Sequence, residues 1–149
     1  MPGWGEFARA APDLASAGEK LFRRFEVAYL ATVRRDGTPR MAPVCPIFAE
    51  GALYLSVARS SPKRLDLLRT GDYALHACLG ENDEEFQVWG RGTLIEDPAE
   101  RSRVHKAIRF QFKREDPVFR LDVERCLWGY WENVGKPGTR PVRKRWTAP

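Results

Sequence analysis

A chain of 149 residues has the usual length of one compact domain and can bury roughly two thirds of its unfolded surface, so its core needs no disulfide or metal staple. Apolar residues at 43% and charged residues at 30% exclude a disordered or collagen-like chain. No apolar run approaches the roughly 20 residues of a membrane span and the start lacks a secretory pattern, so a cytoplasmic protein is expected. The net charge of +5 is uneven. Acids gather at Glu81, Asp83, Glu84 and Glu85, and bases at Lys136, Arg140, Arg143, Lys144 and Arg145, a tail suited to phosphate-bearing partners or to solubility.

Over the first 25 residues, Leu14, Ala17, Leu21, Phe22 and Phe25 recur near helical spacing after Pro12, and a helix is predicted. Residues 27–33 are β-branched and aromatic and lead into Arg35-Asp36-Gly37-Thr38, whose Asp-Gly pair marks a hairpin turn. The second strand, 39–48, carries Pro43 and Pro46. Proline cannot donate to a ladder, so this strand belongs at an edge, a bulge or a place where something other than a strand approaches. After Glu50-Gly51 a third strand over 52–58 alternates Leu53, Leu55 and Val57 with Tyr54 and Ser56, then runs into a short helix from Pro62 to about Leu68.

Residues 73–79 and 85–95 read as two further strands joined by an acidic turn. Asp97-Pro98 opens a helix running to about Glu115, and an apolar piece at 126–131 supplies a sixth strand. Hairpins dominate and there is no βαβ rhythm. The expectation is a mainly β fold with some α: a six-stranded antiparallel barrel, closed or nearly so, with flanking helices, as a single domain over 1–149. The tail 135–149 could not fold alone and must dock on the rest or stay loose. Cys45, Cys78 and Cys126 form no CxxC pair and read as buried small hydrophobes. His76 and His105 have no metal-ligand spacing and are assigned no chemistry.

The chemistry centres on Ser60-Ser61-Pro62-Lys63-Arg64. A serine suits the N-cap and Pro62 the first helical position, which leaves Lys63 and Arg64 in the first turn, where free N–H groups and the helix dipole are already positive. Each misplaced cation costs up to about 1 kcal/mol, and a phosphate dianion at the helix terminus removes the conflict. The alternative is that both side chains reach into water. Nearby, Arg40-Met41-Ala42-Pro43-Val44 is a proline-interrupted strand whose unpaired main-chain groups suit a heterocycle with its own donors and acceptors.

These stretches resemble the FMN-binding split barrels related to pyridoxamine 5'-phosphate oxidase. Leu30-Ala31-Thr32-Val33, Asp36-Gly37-Thr38-Pro39, Leu53-Tyr54-Leu55-Ser56, Ser61-Pro62-Lys63 and Phe86-Gln87-Val88-Trp89-Gly90 follow that family's pattern in the same order. The resemblance implies a split β-barrel that binds FMN. Met41, Ala42, Pro43 and Val44 would lie against the isoalloxazine ring, Ser56 and Val57 would touch it from the third strand, and Gln87 would approach from the next. Ser61 and Lys63 would bind the phosphate. The oxidases place an arginine where this chain has Pro62, so Arg64 or Arg40 would replace it. A homodimer is implied, with Arg145 and Trp146 candidates to complete the partner's pocket. Val44-Cys45-Pro46-Ile47-Phe48 is apolar where the oxidase is basic, which argues against vitamin B6 oxidation and for a small apolar substrate, or for the deazaflavin F420 or haem in place of FMN. A flavin or haem carrier without turnover remains open. A nucleic-acid-binding barrel, from Arg and Lys interleaved with Trp131 and Trp146, is the remaining rival.

Overall fold

The computed structural model describes residues 1–149. Helices α1 (Trp4–Ala10) and α2 (Pro12–Phe25) precede β1 (Ala28–Val33), β2 (Pro39–Val44), β3 (Ile47–Ala49) and β4 (Ala52–Ser56). Then come α3 (Pro62–Arg69), β5 (Asp72–Ala77), β6 (Glu85–Leu94), α4 (Pro98–Ala107), β7 (Val118–Glu132) and β8 (Arg140–Thr147). All strand pairings are antiparallel, in the order β2-β1-β5-β6-β7-β4-β3, with β8 on the free part of β7.

The strand order itself forces the sheet to curl. Seven flat strands would set their edges ~29 Å apart at the usual spacing. The edges β2 and β3 are nonetheless joined by Cys45 and Pro46 alone, a link that reaches at most ~11 Å. The result is a barrel split between β2 and β3, as a proline-broken strand demands. Its inward residues, among them Leu30, Leu55, Leu75, Val88, Phe119 and Leu121, share one core with Trp4, Phe7 and Phe22 from α1 and α2. The ring of Trp4 meets that of Phe7 edge-on at 5.1 Å, and Phe22 meets Phe86 at 5.6 Å. A smaller cluster of Ile47, Tyr54, Ile95, Val104 and Val118 lies beneath α4.

Several sequence expectations need correction. The sheet has eight strands, not six. The single strand expected over 39–48 is two, because Pro46 interrupts the ladder. The first helix is likewise two, since Ala11 leaves the helical region (φ −140°, ψ 66°) ahead of Pro12. Helix α4 stops at Ala107 rather than near Glu115. Beyond it the Asp116 carboxylate accepts from the backbone N–H groups of Lys113 and Arg59, a local competitor to helix. The strand expected at 126–131 is the second half of a 15-residue strand whose first half alternates Phe119, Leu121 and Val123 with Arg120, Asp122 and Glu124. The tail, left open between docked and loose, is docked: residues 140–147 form β8, in register with 125–132 of β7.

A bulge between Trp89 and Gly90 shifts the β6–β7 register so that Glu124 has no partner. A Cβ on Gly90 would sit 1.9 Å from the carbonyl oxygen of Asp122, a backbone atom that cannot move aside. Gly90→Ala is therefore expected to cost about 2 kcal/mol. Urea denaturation would read this as a lower midpoint at unchanged slope.

Candidate cofactor-binding site

The pleat of β2 divides the five residues expected to approach a heterocycle. Met41 and Pro43 are exposed on the outer face, whereas Arg40, Ala42 and Val44 alternate to the other side, Val44 against the core. The outer residues fall into two cross-strand rows. One runs Pro43, Tyr29, His76, Gln87, Leu127, Arg145, and the next Met41, Ala31, Ala74, Trp89, Arg125, Thr147. Met41, Pro43 and Gln87 thus share one face with Tyr29 and Trp89, and Met41 and Tyr29 expose 70% and 46% of their surface there. The face is open. A hollow of about 210 Å³ lies on it around Trp89, Leu127 and Arg145, and a cavity of about 300 Å³ lies at the barrel split, around Phe22, Cys45, Pro46 and Phe48.

Helix α3 is tied to the inward side of β1 and β2, where Asp66 accepts from Thr32 and Arg40. Ser61 occupies the N-cap with extended backbone, but its hydroxyl does not cap the helix; it accepts a hydrogen bond from Lys63 Nζ at 2.9 Å. Burial, and then the positive charge of Arg40, push the Lys63 pKa down. Two cations are therefore held near each other beside a hydroxyl and the positive end of a helix, an arrangement that fits a phosphate group. The cation whose charge acts on Lys63 is Arg40 rather than Arg64. Arg64 turns the other way, and its Nε donates to the Arg59 carbonyl at 2.8 Å.

The tie between helix and strands is Asp66, 3% exposed. One carboxylate oxygen accepts from both Thr32 Oγ1 and Arg40 Nε at 2.8 Å, and the other lies 3.5 Å from Arg69 Nη2. Arg69 also donates to the Val33 carbonyl. Burial alone would raise the Asp66 pKa, but the hydrogen bonds from Arg40 and Thr32 and the charges of Arg40 and Arg69 outweigh it and hold the carboxyl below its ordinary range. Asp66 thereby sets α3, with Ser61 and Lys63, against β1 and β2. Sequence reasoning missed Thr32, Asp66 and Tyr29. A signal existed for Thr32, a hydroxyl on the inward face of a strand otherwise lined by Ala28 and Leu30.

The other expected residues lie apart from this group. Val57 is 1% exposed within the core, so its side chain faces no outside ligand, and Ser56 ends β4, paired with Val118. Trp146 sits opposite Cys126 and packs at 5.0 Å on Phe7, while its neighbour Arg145 is in the same outer row as Gln87. No group of three or more His, Cys, Asp or Glu side chains is placed to hold a metal ion. No helix is long and apolar enough to cross a membrane.

Comparison with known proteins agrees with the architecture. A relative of general stress protein 26 from Clostridium acetobutylicum, of the pyridoxinephosphate oxidase family, superposes with a TM-score of 0.64 at 12% identity, over 85% of this chain and 90% of that one. PhzG from Burkholderia lata, in complex with tetrahydrophenazine-1-carboxylic acid, gives 0.66 at 14% identity over 99% and 89%. A heme binding protein from Mycobacterium smegmatis gives 0.58 at 22% identity over 87% of this chain and 57% of that chain. No curated protein sequence matches significantly. Residues 14–126 match the pyridoxamine 5'-phosphate oxidase family model, and the chain belongs to that family.

Proposed function

We propose that the protein is a cytoplasmic, homodimeric oxidoreductase that holds FMN, with F420 as the alternative cofactor, and passes a hydride to or from a small, largely apolar substrate. The observation that carries this reading is the grouping of Ser61, Lys63 and Arg40 at the start of α3, with Arg40 on the strand whose alternate residues Met41 and Pro43 form the outer face. A phosphate dianion there offsets the repulsion between the two cations and meets the helix terminus. Met41, Pro43 and Tyr29 then offer apolar contact to a planar ring, and the Gln87 amide offers a donor and an acceptor at its edge.

A bound flavin supplies the hydride chemistry, and the chain's part is to orient it, bond it and exclude water. An open face covers only one side of a flat ring, which favours a second copy as its cover, with Arg145 of the same outer row available at the join. The tetrahydrophenazine-1-carboxylic acid bound to PhzG is a fused-ring molecule of a size this face suits.

Absorption titration of the purified protein with FMN, F420 and haemin, followed by addition of a reduced nicotinamide nucleotide, tests the reading. FMN is expected to saturate with a dissociation constant of roughly micromolar or tighter. The bound flavin should then be reduced, and reoxidised by an acceptor. F420 binding alone would move the assignment to the deazaflavin, haemin binding alone would move it to a haem protein, and binding without reduction would make the protein a carrier. Binding of none would remove the proposal.

A further inference from the structure

The turn that presents Ser61 and Lys63 to one side sends Arg59 and Arg64 to the other, into a hollow of about 420 Å³. Its far wall is Arg101 of α4. The same arginine, with Glu96, is shared with a neighbouring hollow of about 570 Å³ that also takes in Lys106 and Arg114, so the two run together. The joined cleft holds five cations, Arg59, Arg64, Arg101, Lys106 and Arg114, against two acids, Glu96 and Glu115. None of the five has a carboxylate oxygen within 4.0 Å, although eleven such contacts occur elsewhere in the chain.

Two features show a built site rather than a solvated basic surface. Arg101 is held in place by the Arg114 and Asp116 carbonyls, which accept from its Nη2 at 2.9 and 3.2 Å, so its guanidinium is pre-ordered. His105, on the next turn of α4, stacks at 5.0 Å on Phe112, and its Nε2 is buried with no hydrogen-bond partner. A buried ring nitrogen left unpaired is costly, and the His105 ring is part of the wall of the larger hollow. The charged groups around it are Arg101 and Lys106 from α4, Arg114 from the segment after it, and Glu96 from the segment before it. Burial and the charges of Arg101 and Arg114 lower the His105 pKa and favour the neutral ring.

We propose that this cleft is a second anion site, separate from the Ser61–Lys63–Arg40 group, and that it takes an oligophosphate such as the diphosphate of a nucleotide. The excess of cations calls for a ligand with several negative charges, and the joined hollows are long enough for more than one phosphate. Arginines offer planar donor pairs to phosphate oxygens, and the bound charge draws a proton onto the His105 ring in the cleft wall.

Calorimetric titration with pyrophosphate, ADP and adenosine, together with proton NMR of the histidine rings, tests this. Only two histidines are present, so His105→Gln assigns the signals. Pyrophosphate and ADP are expected to bind with submillimolar constants at about 0.1 M salt, and adenosine not at all. The His105 resonance should titrate at higher pH in the bound form. Lys106→Gln with Arg114→Gln, both exposed and without side-chain bonds, should weaken binding roughly tenfold or more without loss of fold. Lys63→Glu should leave it unchanged, which separates this site from the flavin reading. ADP binding tighter than pyrophosphate extends the site to the nucleoside, and equal affinity confines it to phosphate; both support the proposal. Absence of pyrophosphate and ADP binding, or binding that depends on Lys63 and ignores Lys106 and Arg114, would overturn it.

Discussion

Lys63→Glu is expected to weaken FMN binding at least about tenfold, or ~1.4 kcal/mol, with the fold intact. At about 4 Å and an effective dielectric near 20, one charge pair is worth about 4 kcal/mol, and the substitution turns an attraction into a repulsion. Lys63 is only partly buried and water competes for the phosphate, so most of that difference is screened and the lower bound is the safer expectation. The fold should survive because the only side-chain bond lost is to the Ser61 hydroxyl, and an acid in the first helical turn suits the dipole better than a lysine. Lys63→Gln should fall between the two. Flavin fluorescence titration gives the affinity and a thermal melt by circular dichroism checks the fold. Unchanged affinity in a folded variant would take Lys63 out of the phosphate site.

Asp66→Ala should have the largest effect on stability, about 3 kcal/mol. Breaking a buried charge pair costs roughly 3–5 kcal/mol, and the lower end applies because Arg40 and Arg69 reach solvent and can rehydrate. Thr32, 2% exposed, is left without its acceptor. Asp66→Asn keeps an oxygen for Thr32 and should cost less, about 1–2 kcal/mol.

The pH dependence has a definite sign. The folded pKa of Asp66 is lowered, so its contribution is present above the unfolded value and lost as pH falls through the folded one. The stability gap between wild type and Asp66→Asn should therefore hold steady down to about pH 5 and close below about pH 4. Urea unfolding across that range reads it, and a gap that widened in acid would contradict the assignment. Both variants should also bind FMN more weakly, because Arg40 loses the carboxylate that aims it.

How far the fold was legible follows from where each signal lies along the chain. The hairpin at Asp36-Gly37 and the start of α3 at Pro62 rest on local rules, in which the deciding residues are neighbours, and the structure places both where the residues indicate. Strand β8 was not legible. Its Arg and Lys residues left the tail open between docked and loose, because nothing within 135–149 says that the free edge of β7 is waiting for it. The first half of β7 was hidden by charged residues at alternate positions, a pattern that marks a strand only if one face is known to be wet.

The candidate site divides along the same line. Ser61 and Lys63 were singled out because a basic first turn is a local conflict visible in five residues. Asp66 was not, because its partner Thr32 lies 34 residues away and Arg40 26 residues away. The nearness of Arg40 rather than Arg64 to Lys63 likewise belonged to tertiary structure, since Arg40 lies on β2, far from α3 in sequence, whereas Arg64 lies within the helix and turns to the Arg59 carbonyl. The sequence alone determined the element types, the phosphate-like turn and the family pattern, all of which depend on short-range sterics and periodicity. The strand count, the split between β2 and β3 as edges, and which side chains of β2 face outward were decided by long-range pairing, where the energy of a contact depends on residues the local chain does not contain.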